Sequence, residues 1–194
     1  MRFSDKVVLV TGAAGGVGLA AALRFAAEGA NLVLVDRDAG ALPAAAAAVR
    51  ERGHGEALEV VCDVGAENNV VHAVEQALKQ FGRLDVVINN AGLETEPQVA
   101  PYAAAKAALL SLTRSAALEG MGKVIRVNAV VPGAIDTPML WNNPQVQSGA
   151  EHIDPGEVGK PGELAAAIAF LASDEASFVQ GAALIVDGGR LCQL

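Results

Sequence analysis

Apolar positions along this chain follow two alternating rhythms. Residues 6–12, KVVLVTG, are a short β-branched run that ends in glycine, the pattern of a strand buried on both faces. Residues 16–28, GVGLAAALRFAAE, then place apolar side chains at helical spacing and stop at Gly29. The alternation continues with a strand at 31–36 and a helix at 41–52, opened by Pro43 and stopped by Gly53. A strand at 57–64, a helix at 67–81 and a strand at 84–92 follow. Beyond them come a helix at 102–118, a strand at 124–133, a helix at 162–172 and a last strand at 183–189. Strands that alternate with helices imply βαβ units, hence a parallel sheet with helices on both faces. The stretch 139–162, with three prolines and the pair Asn142–Asn143, is the one long irregular segment and is expected to be a substrate lid.

Length and composition narrow this picture. The chain has 194 residues, which suits a single domain over 1–194 with a sizeable core. Hydrophobic residues make up 52% and mean hydropathy is +0.35, much of it alanine. No apolar run approaches the ~20 residues that span a bilayer. The first residues carry no secretory pattern, so a cytoplasmic protein with no membrane partner is expected. The net charge of −8, without any run of Lys or Arg, argues against nucleic acid. Two cysteines, Cys62 and Cys192, do not make a disulfide scaffold and are expected to be reduced. His54, His72 and His152 are scattered, so no metal site is expected.

Candidate chemistry begins where the first strand meets the first helix. In TGAAGGVG (11–18), Gly12, Gly16 and Gly18 would allow a tight turn, a close approach to a pyrophosphate and helix–strand packing. The helix N-terminus would offer N–H groups to the anion. Asp36 closes the second strand 18 positions after Gly18, placed to accept from an adenosine ribose and to repel a 2′-phosphate. The alternative is an ordinary turn with a capping aspartate. Tyr102 and Lys106 stand four apart in a helical pattern and share a face. A neighbouring ammonium favours the phenolate, and the chain has no other tyrosine for acid/base work. The competing reading is an interfacial Tyr beside a solvated Lys. Trp141 would cover a substrate or anchor its loop. Glu94 and Glu96 fit a solvated loop better than a carboxylate pair.

Taken together and in order, TGxxxGxG, Asp63-Val64, NNAG at 89–92, YxxxK at 102–106, RVNAVVPG at 126–133 and VDGG at 186–189 resemble the short-chain dehydrogenase/reductase family. The resemblance covers nearly the whole chain. It implies a Rossmann-like, doubly wound α/β fold and a nicotinamide dinucleotide. It also implies hydride transfer between that cofactor and a secondary alcohol or ketone. Carried over by position, Gly12, Gly16, Val17 and Gly18 form the pyrophosphate turn, and Asp36 holds the adenosine ribose. Asp63 and Val64 flank the adenine, and Asn90, Ala91 and Gly92 line the nicotinamide-side ribose. Pro132, Gly133, Ile135 and Thr137 meet the nicotinamide end. Tyr102 would be the acid/base, and Lys106 its support and a ribose anchor. Gly15 stands where NADP-preferring members often carry a basic residue, so with Asp36 the resemblance favours NAD over NADP. Arg37, next to the aspartate, pulls the other way. Members are usually homodimers or homotetramers.

One part of the pattern is missing. Such proteins place a helix and a strand ending in serine between NNAG and the tyrosine. Here only nine residues, 93–101, separate Gly92 from Tyr102. The absent βα unit would amount to roughly 30–50 residues, with the join near Gln98 and Val99. Two readings compete: an internally deleted molecule, or residues missing from this sequence, with the second favoured. The alternative to an active enzyme is a catalytically silent dinucleotide-binding module.

Overall fold

The computed structural model describes residues 1–92 and 99–190, with side chains from residue 103 onward in the latter stretch. The chain divides into two compact units, Met1–Gly92 and Leu93–Leu194.

In the first unit, β1 (Val7–Thr11), β2 (Asn31–Asp36), β3 (Ala57–Val61) and β4 (Val86–Ile88) form a parallel sheet in the order β3-β2-β1-β4. Helices α1 (Gly16–Ala27), α2 (Leu42–Arg52) and α3 (Glu67–Phe81) make the crossovers. Strands buried on both faces must be apolar at every position, and all five residues of β1 are buried. Side-chain alternation splits the core into two layers. Val7, Leu9, Val33, Val35 and Val60 pack with Ala73 and Ala77 of α3. The alternate residues Val8, Val10, Leu32 and Leu34 are also buried, and α1 and α2 pack on β1 and β2. Helices therefore cover both faces of this sheet, as expected from the alternating pattern.

The sheet ends where side chains capture the backbone. At the start of β4 the Asp85 carboxylate accepts the Val7 N–H at 2.9 Å. Burial pushes that carboxyl up, but the hydrogen bonds from Arg83 and the Val7 N–H, with the Lys6 charge, leave it below the ordinary carboxylate range. At the other end the Thr11 hydroxyl accepts the Asn90 and Ala91 N–H groups, each at 3.0 Å. This stops β4 at Ile88, earlier than the apolar run to 92 suggests. Likewise β3 stops at Val61, because Asp63 turns the chain by accepting the Gly65 and Ala66 N–H groups.

In the second unit the helix α4 (Val99–Gly120) is followed by β5 (Ala129–Pro132), which pairs in parallel with β6 (Ala183–Val186). The ladder is shorter than the predicted strand at 124–133. The Val127 N–H donates to the Gln180 side chain, while Asn128 binds Val179 O and the Ala182 N–H. Helix α7 (Pro161–Ala172) has its last turn held by Arg126, which donates to Leu171 O and Ser173 O at 2.7 and 2.9 Å. The segment expected to be irregular holds two short helices, α5 (Pro138–Trp141) and α6 (Pro144–Gln147), and a 3-10 turn at Pro155–Glu157. Each starts on a proline, whose fixed φ suits a first helical turn, but segments of three or four residues are too short to propagate a helix. Among the described residues no helix is long and apolar enough to cross a membrane.

Candidate functional site

The β1–α1 turn is built from backbone that only small residues permit. Gly12 and Gly16 have φ of +66° and +54°, in the left-handed region that favours glycine. At Gly18 a Cβ would overlap the Gly12 carbonyl oxygen and stand 2.6 Å from Asn90 Nδ2. Helix α1 therefore lies directly against the turn. Its N-cap, Gly15, supplies no capping side chain, and the first turn carries no acidic residue. The first intrahelical bond is from Leu19 N–H to Gly15 O. The N–H groups of Gly16, Val17 and Gly18 thus form the positive end of the helix dipole, the arrangement an anion can use.

Two side chains brace this cradle. Asn90 Nδ2 donates to Thr11 O at 3.0 Å and to Gly12 O at 3.3 Å. Thr11, nearly buried, donates to Ile88 O and accepts from Asn90 and Ala91, so it ties the glycine turn to the NNAG end of β4. Thr11 is not among the residues the sequence pattern points to. A buried hydroxyl closing an otherwise apolar strand was the available signal. Asn90, expected at a ribose, also braces the backbone here through its Nδ2, with Ala91 half-buried and Gly92 exposed beside it.

Asp36 ends β2 with both carboxylate oxygens engaged. Oδ2 accepts the Ala14 N–H and Oδ1 the Asp38 N–H, each at 3.0 Å. It therefore fixes the far side of the glycine turn, and the remaining lone pair on each oxygen is available to hydroxyl donors. Arg37 is exposed immediately beside it. The Cys62 N–H donates to Asp36 O, holding the end of β3 next to this corner. Asp63 and Val64 follow in exposed positions. The buried Cys62 thiol is unbridged, and burial, with Asp63 adding, pushes its pKa up. Cys192 lies outside the described residues. So do Glu94, Glu96 and the join at Gln98. Seven of the carried-over positions, Gly12, Gly15, Gly16, Val17, Gly18, Asp36 and Asn90, are thus gathered around one turn.

The second unit carries the remaining candidates. Tyr102 and Lys106 both belong to α4, and four residues of helix put them on one face. The Tyr102 side chain lies outside the described residues. Pro132 closes β5, and Gly133 runs against β6's exit, where a Cβ would stand 2.8 Å from Asp187 Cα. Ile135 is buried and bridges in parallel to Gly159. It lines a groove of about 350 Å³ with Val158, Leu164 and Asp187. Thr137 Oγ1 donates to Ile135 O at 3.2 Å and precedes α5. Trp141 Nε1 donates to Asp136 Oδ1 at 2.8 Å, so the indole anchors α5 to the residue before Thr137. Among the described residues no group of three His, Cys, Asp or Glu is placed to hold a metal.

Comparison with known proteins gives two family models that tile the chain. "Short chain dehydrogenase" matches residues 6–100, and "Enoyl-(Acyl carrier protein) reductase" matches residues 93–190. The levodione reductase of Leifsonia aquatica is 35% identical over 97% of this chain and 95% of its own length. A crystal structure of levodione reductase superposes with a TM-score of 0.90 at 33% identity, covering 100% of both chains. NAD+-bound xylitol dehydrogenase matches with a TM-score of 0.88 at 29% identity, over 97% of this chain and 100% of the other. L-sorbose reductase from Gluconobacter frateurii, complexed with NADPH and L-sorbose, matches at 0.86 and 30%, over 100% and 99%. The alignment to levodione reductase is 256 positions long. The 97% of this 194-residue chain that takes part is about 188 residues, so about 68 internal positions have no counterpart here.

Proposed function

This chain belongs to the short-chain dehydrogenase/reductase family, and on that premise we propose that it is an NAD-dependent oxidoreductase. It moves hydride between the nicotinamide and the carbinol or carbonyl carbon of a secondary alcohol or ketone, with residues 1–194 acting as one dinucleotide-binding domain. The observation that carries the reading is the glycine cradle. A turn that a Cβ at Gly18 would fill opens onto an uncapped helix N-terminus, with a carboxylate fixed opposite it at the end of β2.

When bound, the dinucleotide supplies the hydride acceptor or donor. The rest falls to this chain's own residues. The N–H groups of Gly16, Val17 and Gly18 hold the pyrophosphate. Asp36 accepts the adenosine ribose hydroxyls on its free lone pairs, and its charge stands against a 2′-phosphate. Matched structures are bound to NAD+ or complexed with NADPH, and Arg37 is the residue that would favour the latter here. Asp63 and Val64 flank the adenine, Asn90 to Gly92 the second ribose, and Pro132, Gly133, Ile135 and Thr137 the nicotinamide. In ketone reduction the Tyr102 phenol gives its proton to the substrate oxygen as hydride arrives at carbon, and the Lys106 ammonium stabilises the phenolate left behind. A homodimer or homotetramer is the assembly we expect.

The 68 unmatched alignment positions favour a second reading, a dinucleotide binder without turnover, since no serine precedes Tyr102 at the family's spacing. Tyr102→Phe separates the two. Fluorescence titration with NADH should give nearly the same affinity for both proteins, while ketone reduction by the parent should fall at least about 100-fold in the variant. Turnover retained by Tyr102→Phe overturns the acid/base assignment. NADH binding with no turnover by the parent at an intact mass of 19.7 kDa leaves the silent binder.

A further inference from the structure

The chain between β5 and α7 leaves the fold and returns to it at one place. The Asp136 N–H donates to Gly159 O at 2.8 Å, and the Gly159 N–H donates to Ala134 O at 2.9 Å. Ile135 and Gly159 are thereby joined as an isolated parallel bridge. The join is tight, since a Cβ at Gly159 would stand 3.0 Å from Ile135 Cδ1. Residues 136–158 therefore hang from a two-stranded neck. Beyond the neck their hydrogen bonds turn inward. The Glu151 N–H donates to Gln145 O, the Gly156 N–H to Asp154 Oδ1, and Trp141 Nε1 to Asp136 Oδ1. Ile153 is the one buried side chain between Asp136 and Val158. A segment with internal bonds, little buried surface and one narrow attachment is free to move as a body about that attachment.

The groove beside Ile135 lies across the boundary of this segment. Gly156, Glu157 and Val158 of the segment line one part of it, while Leu164, Val186 and Arg190 of the α7 and β6 framework line another. An ion pair spans the same boundary, from Arg190 Nη2 of the framework to Glu151 Oε1 of the segment at 3.5 Å. That separation is longer than the roughly 2.7–2.9 Å of a tight charge-assisted bond. The two side chains are 39% and 43% exposed. A pair so placed is weak, is screened by salt and breaks and reforms readily. Those are the properties of a latch rather than of a permanent brace.

We propose that residues 136–158 form a hinged lid beside the groove, with the Ile135–Gly159 neck as hinge and the Glu151–Arg190 pair as the latch that holds it closed. Breaking the latch widens the groove and leaves the neck intact. Glu151 and Arg190 are positioning residues, because they act through the lid. The device goes beyond the oxidoreductase reading and rests on it only for what the lid retains. With Ile135 and Thr137 assigned to the nicotinamide end, the lid slows release of the cofactor.

Trp141, the chain's only tryptophan, belongs to the lid and reports its state. The full chain is labelled with fluorotryptophan and followed by fluorine NMR. Glu151→Gln and Arg190→Gln should each move the resonance in the same direction. Sodium chloride at about 0.5 M should move the parent resonance that way too and leave both variants where they are. Exchanging the charges, Glu151→Arg together with Arg190→Glu, should return the resonance toward the parent position, which a loss of packing would not do. In stopped-flow displacement, NADH should leave each single variant about threefold faster than the parent, the scale of a half-exposed ion pair. The charge-exchanged protein should release it at close to the parent rate. No movement of the resonance in either single variant, or a movement that the exchange fails to reverse, overturns the latch. Unchanged NADH release from variants whose resonance has moved overturns the lid's hold on the cofactor. A chain that does not bind NADH overturns the oxidoreductase reading, and the fluorine result then judges the latch by itself.

Discussion

At Gly18 a methyl group would overlap the Gly12 carbonyl oxygen, with Asn90 Nδ2 only 2.6 Å away. Both obstacles are held: Asn90 Nδ2 by Thr11 O and Gly12 O, and the turn itself by Asp36. Neither can retreat without breaking hydrogen bonds, so α1 itself would have to move off the turn. Gly15 is a contrasting case in the same loop. Its backbone is extended at φ −166°, which any residue adopts, and a Cβ there meets nothing within 4 Å. Gly18→Ala should therefore cost about 1–3 kcal/mol of stability, an overpacking penalty. It should also weaken NADH binding at least about tenfold, because the N–H groups lose their aim. Gly15→Ala should stay within about 0.5 kcal/mol of the parent. Thermal melts and NADH titrations of the two variants check this. Equal damage from both would mean that the cradle geometry is not what the cofactor uses.

On the scale of elements, α1 is held at its far end by a charge cluster. Glu28, its C-cap, accepts from Arg2 Nε and Nη2 at 2.5 and 2.7 Å and pairs with Arg24 one turn earlier. Phe3 packs edge-on to Phe25 of α1, with ring centroids 4.7 Å apart, so the pair ties the N-terminal residues to the helix. Hydrogen bonds from Arg2, then Arg24, lower the Glu28 pKa to about 2 against an opposing push from burial. A folded-state pKa below the unfolded 4.5 means that this stability is fully present above pH 4.5 and is lost as pH falls through about 2. The full shift corresponds to about 3 kcal/mol, and solvent screening of the partly exposed Arg24 reduces it to about 2. Glu28→Gln should thus unfold at lower urea than the parent near neutral pH, with the gap closing as the solution is acidified from about pH 5 to about pH 2. A gap that stays constant over that range would mean that the loss is packing rather than charge.

The same elements show what the sequence disclosed and what it withheld. Strand β2 and helix α3 occupy the predicted residues, because a strand buried on both faces and a long amphipathic helix are each recorded in their own hydrophobic pattern. The ends of β4 and β5 were not readable, since Thr11 and Gln180 set them from elsewhere in the chain and Asn128 by reaching the distant Ala182 N–H. The glycine turn and Asp36 were legible as a candidate site. The bracing by Thr11 and Asn90 was not, because it depends on β4 lying beside β1.

At the scale of the whole molecule, the question is what the missing βα unit takes away. Levodione reductase aligns along 97% of this chain but with about 68 internal positions unmatched. The cofactor-side candidates Gly12 to Gly18, Asp36 and Asp63 all lie before the proposed join at 98–99, while Tyr102 and Lys106 follow it. A loss at that join removes the serine-bearing strand and leaves the glycine cradle whole. Binding and turnover should therefore respond separately to its restoration. Inserting the corresponding helix and strand of levodione reductase between Gln98 and Val99 should leave NADH affinity within about threefold and raise ketone turnover by about 100-fold or more, the scale of one polar group acting on the reacting oxygen. The urea m-value should rise with the added buried surface, which shows that the insert has folded into the protein. Replacing the inserted serine by alanine should return turnover toward that of the parent while the m-value stays high. An insert that folds by this measure but brings no serine-dependent turnover would mean that this chain's active site does not use the family's third group. The dinucleotide-binding reading would then stand without the dehydrogenase.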